Sequence, residues 1–158
     1  MVTEATSKDL RNLVRLELDG RGIPFEDRGH PFGIGCGQTY GQDLVSAGIT
    51  FSEGQVLIDV LSPTAFLNAQ ILDSQMEEFS FFLESISRSI MPGHYWIHNL
   101  VRLPASRIEI EFSEDADNKE VAVTVVEQVE KLMDHFYSEI ENIQGVLETL
   151  MSLETKGE

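Results

Sequence analysis

Cysteine and long apolar segments are nearly absent from this sequence. The 158 residues include one cysteine, and no apolar segment approaches the ~20 residues that span a bilayer. One cysteine cannot form a disulfide within the chain, and the polar, partly acidic residues 1–10 resemble neither a secretory signal nor a transit peptide. These absences are typical of proteins in a reducing compartment, so we expect a cytoplasmic protein with no membrane partner.

Basic residues are also scarce. The chain has 11 Lys and Arg residues against 27 Asp and Glu residues, for a formal net charge of −16. Most of the excess lies in residues 109–158, where 3 basic and 14 acidic residues give a net charge of −11, against −5 for residues 1–108. Because such a surface repels phosphate groups, we expect neither nucleic acid nor anionic membranes as partners. A basic protein would be attracted, although a solubilising surface explains the same charge more simply.

The composition is that of one folded domain. Hydrophobic residues make up 42% of the chain, which excludes a disordered protein, and 158 residues suffice for a single core. The sequence contains no linker composition, low-complexity segment or internal repeat. We therefore expect residues 1–158 to form a single domain whose ordered core spans about 7–152.

Hydrophobic periodicity predicts three helices and five strands. Apolar residues recur every three or four positions in three segments, which begin near the capping residues Ser7, Ser62 and Asp117. The predicted elements are a helix at 7–19, strands near 30–40, 44–51 and 55–61, a helix from 62 to about 90 with a possible break near 73, strands within 94–103 and 106–112, and a helix at about 118–152. This order, α-β-β-β-α-β-β-α, indicates an α+β sandwich in which an antiparallel sheet packs against helices.

The segment GHPFGIGCGQTYGQD, residues 29–43, contains five glycines. Gly33, Gly35 and Gly37 are two residues apart, so they lie on one face of a strand. Gln38 interrupts a G-x-G-x-x-G pattern, no Lys-Ser or Lys-Thr pair follows, and the next segment is a strand. These features exclude the usual phosphate-binding loops. The glycines instead predict a strand face on which a helix or a neighbouring strand packs close to the backbone.

Cysteine and histidine provide only weak candidates for chemistry. Cys36 and His30 are six residues apart on one predicted strand, ~20 Å if it is extended, so the pair is not poised for nucleophilic catalysis. His94 and His98 would lie ~13 Å apart on a strand, too far to share a metal ion. We therefore expect Cys36 to be a small buried residue, and we predict no catalytic, cofactor-binding or metal-binding residues. The alternative is a small enzyme or ligand sensor that uses Cys36 and His30, or the His94–His98 region.

The strongest pattern is the heptad-like spacing of the two longer helices. In the last helix apolar residues follow one another at spacings of four and three. The simplest interpretation is that both helices cover one face of the sheet. A continuous helix over 118–152 would be ~50 Å long, however, more than a domain of this size needs. Either Gly145 bends the helix or its end reaches a second copy of the chain. We therefore predict a dimer or partner surface that includes Phe136, Ile140, Ile143, Leu147 and Trp96.

Two motifs resemble the YbjN-like proteins, which share the fold of type III secretion chaperones. One is IMPGHYWIHN, in which a helix ends at Pro92–Gly93 before an aromatic strand; the other is the closing HFYSEIENIQGVLETL, with its aromatic pair followed by Ile140, Ile143 and Gly145. The resemblance covers roughly residues 7–150 in the order of elements. It implies a homodimer without enzymatic activity or cofactor: a chaperone-like or regulatory adaptor that binds a segment of a client protein over its apolar patches.

Overall fold

The computed structural model describes residues 4–28, 33–52, 54–62, 65, 76–87, 94–97, 104–113 and 115–156, which form three helices and six strands. The elements in chain order are α1 (Glu4–Gly20), β1 (Phe25–Arg28), β2 (Gly33–Tyr40), β3 (Asp43–Ser52), β4 (Gln55–Leu61), α2 (Met76–Ser87), β5 (His94–Ile97), β6 (Pro104–Glu111) and α3 (Asn118–Lys156). The expected α+β fold is confirmed, and the predicted order of elements is correct apart from one additional strand, β1.

The six strands form a single sheet in the order β1-β2-β3-β4-β6-β5, and every neighbouring pair is antiparallel. Strands β2 to β4 form an antiparallel meander, which β1 extends by one strand. Gly41 and Gly54 have φ angles of 61° and 70° in the tight turns after β2 and β3, a conformation that favours glycine. β6 pairs with β4, so β5 forms the edge of the sheet opposite β1.

One face of the sheet is buried under helices. Every second side chain of β3 and β4 is buried, and Ile49, Ile58 and Ile108 form a row across three neighbouring strands. α3 contacts β3, β4 and β6, while α1 contacts α3 and the first three strands. The buried side chains of these elements form one hydrophobic cluster. Because side chains alternate along a strand, Ser46 and Gly48 lie on the opposite, outer face of the sheet.

The last helix is continuous. α3 has 39 residues, and at ~1.5 Å per residue it is about 58 Å long. Asp117 caps its start, where the carboxylate accepts a hydrogen bond from the N–H of Lys119 at 3.0 Å. The helix passes through Gly145 without interruption. Despite this length, none of the described helices has an apolar segment that could cross a membrane.

The apolar stripe of α3 faces the chain's own core. Four of the five residues predicted for a dimer or partner surface are buried there, namely Phe136, Ile140, Ile143 and Leu147. They belong to the same hydrophobic cluster as buried residues of α1 and of the sheet, and their role in a dimer or partner surface stays a prediction. The fifth residue, Trp96, lies in β5, and its side chain is outside the described part of the structure.

The second predicted helix is described only in part. α2 spans Met76–Ser87, whereas residues 66–75 lie outside the described residues, as do residues 98–103 of the fourth predicted strand.

Ser62 makes a contact of the kind expected of a helix cap. Its hydroxyl accepts a hydrogen bond from the N–H of Ala65 at 3.2 Å and donates one to the carbonyl of Leu44 at 2.6 Å.

Candidate functional site

Strand β1 covers only half of β2. The four residues of β1 pair with residues 33–36, the first four of β2. β2 continues to Tyr40, and within the described part of the chain residues 37–40 have no partner strand on the β1 side. The backbone of residues 37–40 on this side is the open edge of the sheet.

Pro24 ends the pairing between β1 and β2. The N–H of Gly37 donates a hydrogen bond to the carbonyl of Pro24 at 3.4 Å, but proline has no N–H with which to bind the Gly37 carbonyl in return. In a paired strand the backbone groups of alternate residues point to the same side, so the N–H and C=O of Thr39 also face the open edge. The open edge therefore presents one donor, from Thr39, and two acceptors, from Gly37 and Thr39.

A concavity of about 740 Å³ lies along the open edge. Its lining includes Gly22, Pro24, Glu26, Gly37, Thr39 and Leu44. A Cβ atom on Gly37 would lie only 3.0 Å from the carbonyl oxygen of Val45 in β3. At this position, therefore, a neighbouring strand does pack close to the glycine backbone, as the spacing of the glycines predicts. The missing side chain also leaves the β2 backbone next to the open space of the concavity.

Among the described side chains, the charges around the concavity are acidic or already paired. Glu26 lines the concavity and is exposed. Arg21, beside the lining residue Gly22, donates hydrogen bonds to Glu17 at 2.8 Å and to Glu130 at 3.1 Å. These contacts raise the pKa of Arg21 above its ordinary value, which means that its positive charge is held by carboxylates.

Tyr40 fixes the end of the open edge to α3. Its hydroxyl donates a hydrogen bond to Asp134 Oδ1 at 2.6 Å, and its ring stacks on Tyr137 with the ring centroids 4.7 Å apart. Burial, followed by the hydrogen bond to Asp134, raises the pKa of Tyr40, so the phenol remains a neutral donor at pH 7. The charge of Glu130 contributes to the same rise in pKa, which places a second carboxylate near this end of the edge.

A further polar contact joins β5 to α3 and was not predicted. The hydroxyl of the buried Tyr95 lies 2.8 Å from Nδ1 of His135, and its ring stacks on Phe136 with centroids 5.8 Å apart. Burial raises the pKa of Tyr95, so a neutral phenol can donate to this nitrogen. The two residues are 40 positions apart, and no local motif could have signalled the pair. Its role is to attach the edge strand to the core.

The residues considered for chemistry are not brought together by the described structure. Cys36 is buried, as expected, and is among the residues that line the concavity. His30 and His98 lie outside the described residues, and for His94 only the position in β5 is described. Over the ranges that the structure covers, no group of three or more His, Cys, Asp and Glu side chains could hold a metal ion. A role for Cys36 and the histidines therefore stays a prediction.

Two large apolar side chains are exposed at opposite edges of the sheet. Leu16 of α1 is 68% exposed and, together with Phe25 of β1, lines a second concavity of about 340 Å³. Phe81 of α2 is 70% exposed, and α2 packs against β5 at the other edge. Each edge of the sheet therefore has an apolar side chain available to a partner.

Comparison with known proteins identifies the fold but no sequence relative. No family model and no curated protein sequence gives a significant match to this chain. The crystal structure of YbjN from E. coli, described there as "a putative transcription regulator", is similar in three dimensions. The TM-score is 0.56 at 15% sequence identity, and the match covers 84% of this chain and 92% of the YbjN chain. The resemblance predicted from the sequence motifs is thus confirmed for the architecture: the chain has a YbjN-like fold.

Proposed function

We propose that this chain is a non-enzymatic protein-binding protein, a homodimeric chaperone-like or regulatory adaptor that holds an extended segment of a client protein. The observation that carries the proposal is the open edge of β2 beside the 740 Å³ concavity. Extended segments bind such edges by adding a strand, in which main-chain hydrogen bonds supply affinity and side-chain pockets supply specificity.

The open edge has the right components for strand addition. Thr39 offers both backbone groups and Gly37 offers its carbonyl, so a client strand in line with β1 can form several main-chain hydrogen bonds. Four residues of β2 span ~13 Å, which is enough for a short strand. Leu44 lines the concavity and is one of the exposed large apolar residues, so it can contact an apolar side chain of the client.

The charge of the chain favours a regulatory role through proteins rather than through nucleic acid. The similar YbjN structure is described as that of "a putative transcription regulator". A net charge of −16 would repel DNA, so a regulatory adaptor of this composition is better suited to a protein partner. The proposal accordingly includes no nucleic acid, no membrane partner and no cofactor, and it places a single-domain protein in the cytoplasm.

The second copy in the proposed homodimer is assigned to the α2 side of the sheet. Phe81 is exposed on α2, which packs against β5, the edge opposite the client site. Exposed aromatic side chains are common anchors of protein interfaces. An interface there would leave the open edge of β2 free in both protomers, so that each could hold a client segment.

The binding proposal is tested by removing the backbone donor of the open edge. Proline is tolerated on a sheet edge where its missing N–H faces solvent, so Thr39→Pro removes the donor while Thr39→Val keeps it. The ligands are fluorescein-labelled ten-residue peptides with alternating valine and polar residues, read by fluorescence anisotropy. We expect Thr39→Pro to reduce the affinity for the tightest-binding peptide about tenfold or more, because a main-chain hydrogen bond and a strand contact are lost. Thr39→Val should bind the same peptide with the affinity of the wild type.

Hydrogen exchange provides an independent measurement in the unmodified chain. A bound peptide should slow exchange of the Thr39 amide and leave exchange in α2 unchanged. The proposal is overturned if no peptide of the set binds, or if binding is indifferent to Thr39→Pro and leaves the Thr39 amide unprotected.

A further inference from the structure

We infer that the client segment is cationic, and that Glu26 on one face of the sheet and Asp134 with Glu130 on the other select lysine and arginine side chains. This inference rests on the proposed function and adds the chemical class of the partner. A strand added to the open edge would have two rows of side chains, one above each face of the sheet, and both rows would lie beside carboxylates.

On the outer face, Glu26 is the acidic group closest in register to the open edge. It pairs with Gly35, and Gly37 follows two residues later on the same face of β2. Neither glycine has a side chain that could stand between the Glu26 carboxylate and a client strand. Glu26 is exposed and lines the concavity, so a long basic side chain can reach it from the open edge.

On the inner face, two acidic groups of α3 lie near the end of the open edge. The hydroxyl of Tyr40, the last residue of the open edge, donates a hydrogen bond to Asp134, which is exposed. The charge of Glu130 acts on the same phenol. A basic side chain of the client that points to this face would therefore meet two carboxylates near the end of its strand, and the attraction would be strongest at low salt.

Among the side chains that the structure describes, the two nearby arginines of α1 and its following turn do not neutralise these carboxylates completely. Arg21 is shared among Glu17, Glu127 and Glu130, at 2.8, 3.8 and 3.1 Å, so three carboxylates surround one guanidinium. Arg15 is paired with Asp27 at 3.5 Å rather than with Glu26. The local excess of negative charge agrees in sign with the net charge of −16 of the whole chain.

The same charges argue against pairing between the β1 strands of two copies of the chain. β1 has the sequence FEDR, so pairing of two β1 strands would bring Glu26 and Asp27 of one copy next to those of the other. Like charges directly opposite each other in a sheet are destabilising. Acidic residues on an edge strand thus prevent self-pairing and leave the edge for a partner of opposite charge.

The inference is tested with three labelled peptides that share alternating valines and differ only in their polar residues, which are lysine, glutamine or glutamate. We expect the lysine peptide to bind about tenfold more tightly than the glutamine peptide at low salt, and the glutamate peptide to bind most weakly. Glu26→Gln should reduce the preference for lysine over glutamine about threefold. The matched control is Glu148→Gln, which removes the same charge from an exposed position of α3, away from both the open edge and α2, and should leave the preference unchanged.

Three outcomes contradict the inference in distinguishable ways. Binding that depends on Thr39 but is equal for lysine and glutamine peptides would overturn the cationic client and leave the proposed function standing. Equal effects of Glu26→Gln and Glu148→Gln would show a non-specific attraction to the acidic chain and would also overturn it. Absence of binding by all three peptides would overturn the inference together with the proposed function.

Discussion

Gly37 and Gly48 lie on the outer face of neighbouring strands, but only Gly37 is confined. A Cβ atom on Gly37 would lie 3.0 Å from the backbone oxygen of Val45, whereas a Cβ atom on Gly48 would have nothing within 4 Å. The carbonyl of Val45 belongs to a central strand and cannot move away easily. Regular spacing of glycines in the sequence predicts that they share one face of a strand. It does not indicate at which position a larger residue would clash, because the space there depends on the neighbouring strand.

We predict opposite effects of alanine at these two glycines. Gly37→Ala should lower the free energy of unfolding by about 1–2 kcal/mol, since the new methyl group is forced against backbone. Gly48→Ala should leave it unchanged or raise it by about 0.5 kcal/mol, because alanine reduces the entropy of the unfolded chain and meets open space. Urea unfolding monitored by circular dichroism measures both. Equal changes in the two variants would be incompatible with the close contact at Gly37.

Single residues were predictable where their role is local. The burial of Cys36 and the cap at Asp117 follow from neighbouring residues in the sequence, and both predictions are confirmed. The contact between Tyr40 and Asp134 spans 94 positions and depends on how α3 crosses the sheet. Neither residue stands out in the sequence, because an isolated tyrosine and one aspartate among many acidic residues have no pattern that connects them.

At the scale of elements, β1 shows why a strand can be missed. Its residues, FEDR, include three charged side chains and no apolar alternation, so no periodicity indicates a strand. It pairs because β2 offers a partner, in keeping with the strong dependence of strand formation on context. Pro24 is the one local signal, since proline is favoured at the start of an edge strand, and it also marks where the open edge begins.

The heptad pattern of α3 predicted a helix correctly but did not indicate what would cover it. Spacing of apolar residues defines a stripe, and the same stripe can face a sheet or a second helix. Phe136, Ile140, Ile143 and Leu147 are buried in the chain's own hydrophobic cluster, and the partner surface that the length of the helix suggested stays a prediction.

The continuity of α3 gives a prediction for Gly145, which is exposed within the helix and has open space where a methyl group would lie. Gly145→Ala should raise the free energy of unfolding by about 0.5–1 kcal/mol, because alanine favours the helical backbone. Gly54→Ala is the matched control. Because the φ angle of 70° at Gly54 is unfavourable for alanine, we expect this substitution to lower the free energy of unfolding by about 1–2 kcal/mol. Destabilisation by Gly145→Ala, measured by thermal and urea unfolding, would indicate that the helix needs a bend at this residue.

At the scale of the whole molecule, the class of fold was predictable because it depends on the order of elements. The antiparallel meander follows from short turns, and the placement of helices on one face follows from alternation in the strands. The position of the proposed client site was not predictable in the same way. It arises from a difference in length between β1 and β2, and hydrophobic patterns do not report the length of pairing between two strands.

The central claim, a dimer that holds extended basic segments, is tested most directly by native mass spectrometry of the gently purified protein with the lysine peptide added. One spectrum counts both protein copies and bound peptides. We predict two copies of the chain, with up to one peptide on each, and no additional retained mass before the peptide is added. A monomer that takes up no peptide and retains a metal ion or small molecule would contradict the account and would favour the alternative role of Cys36 and the histidines.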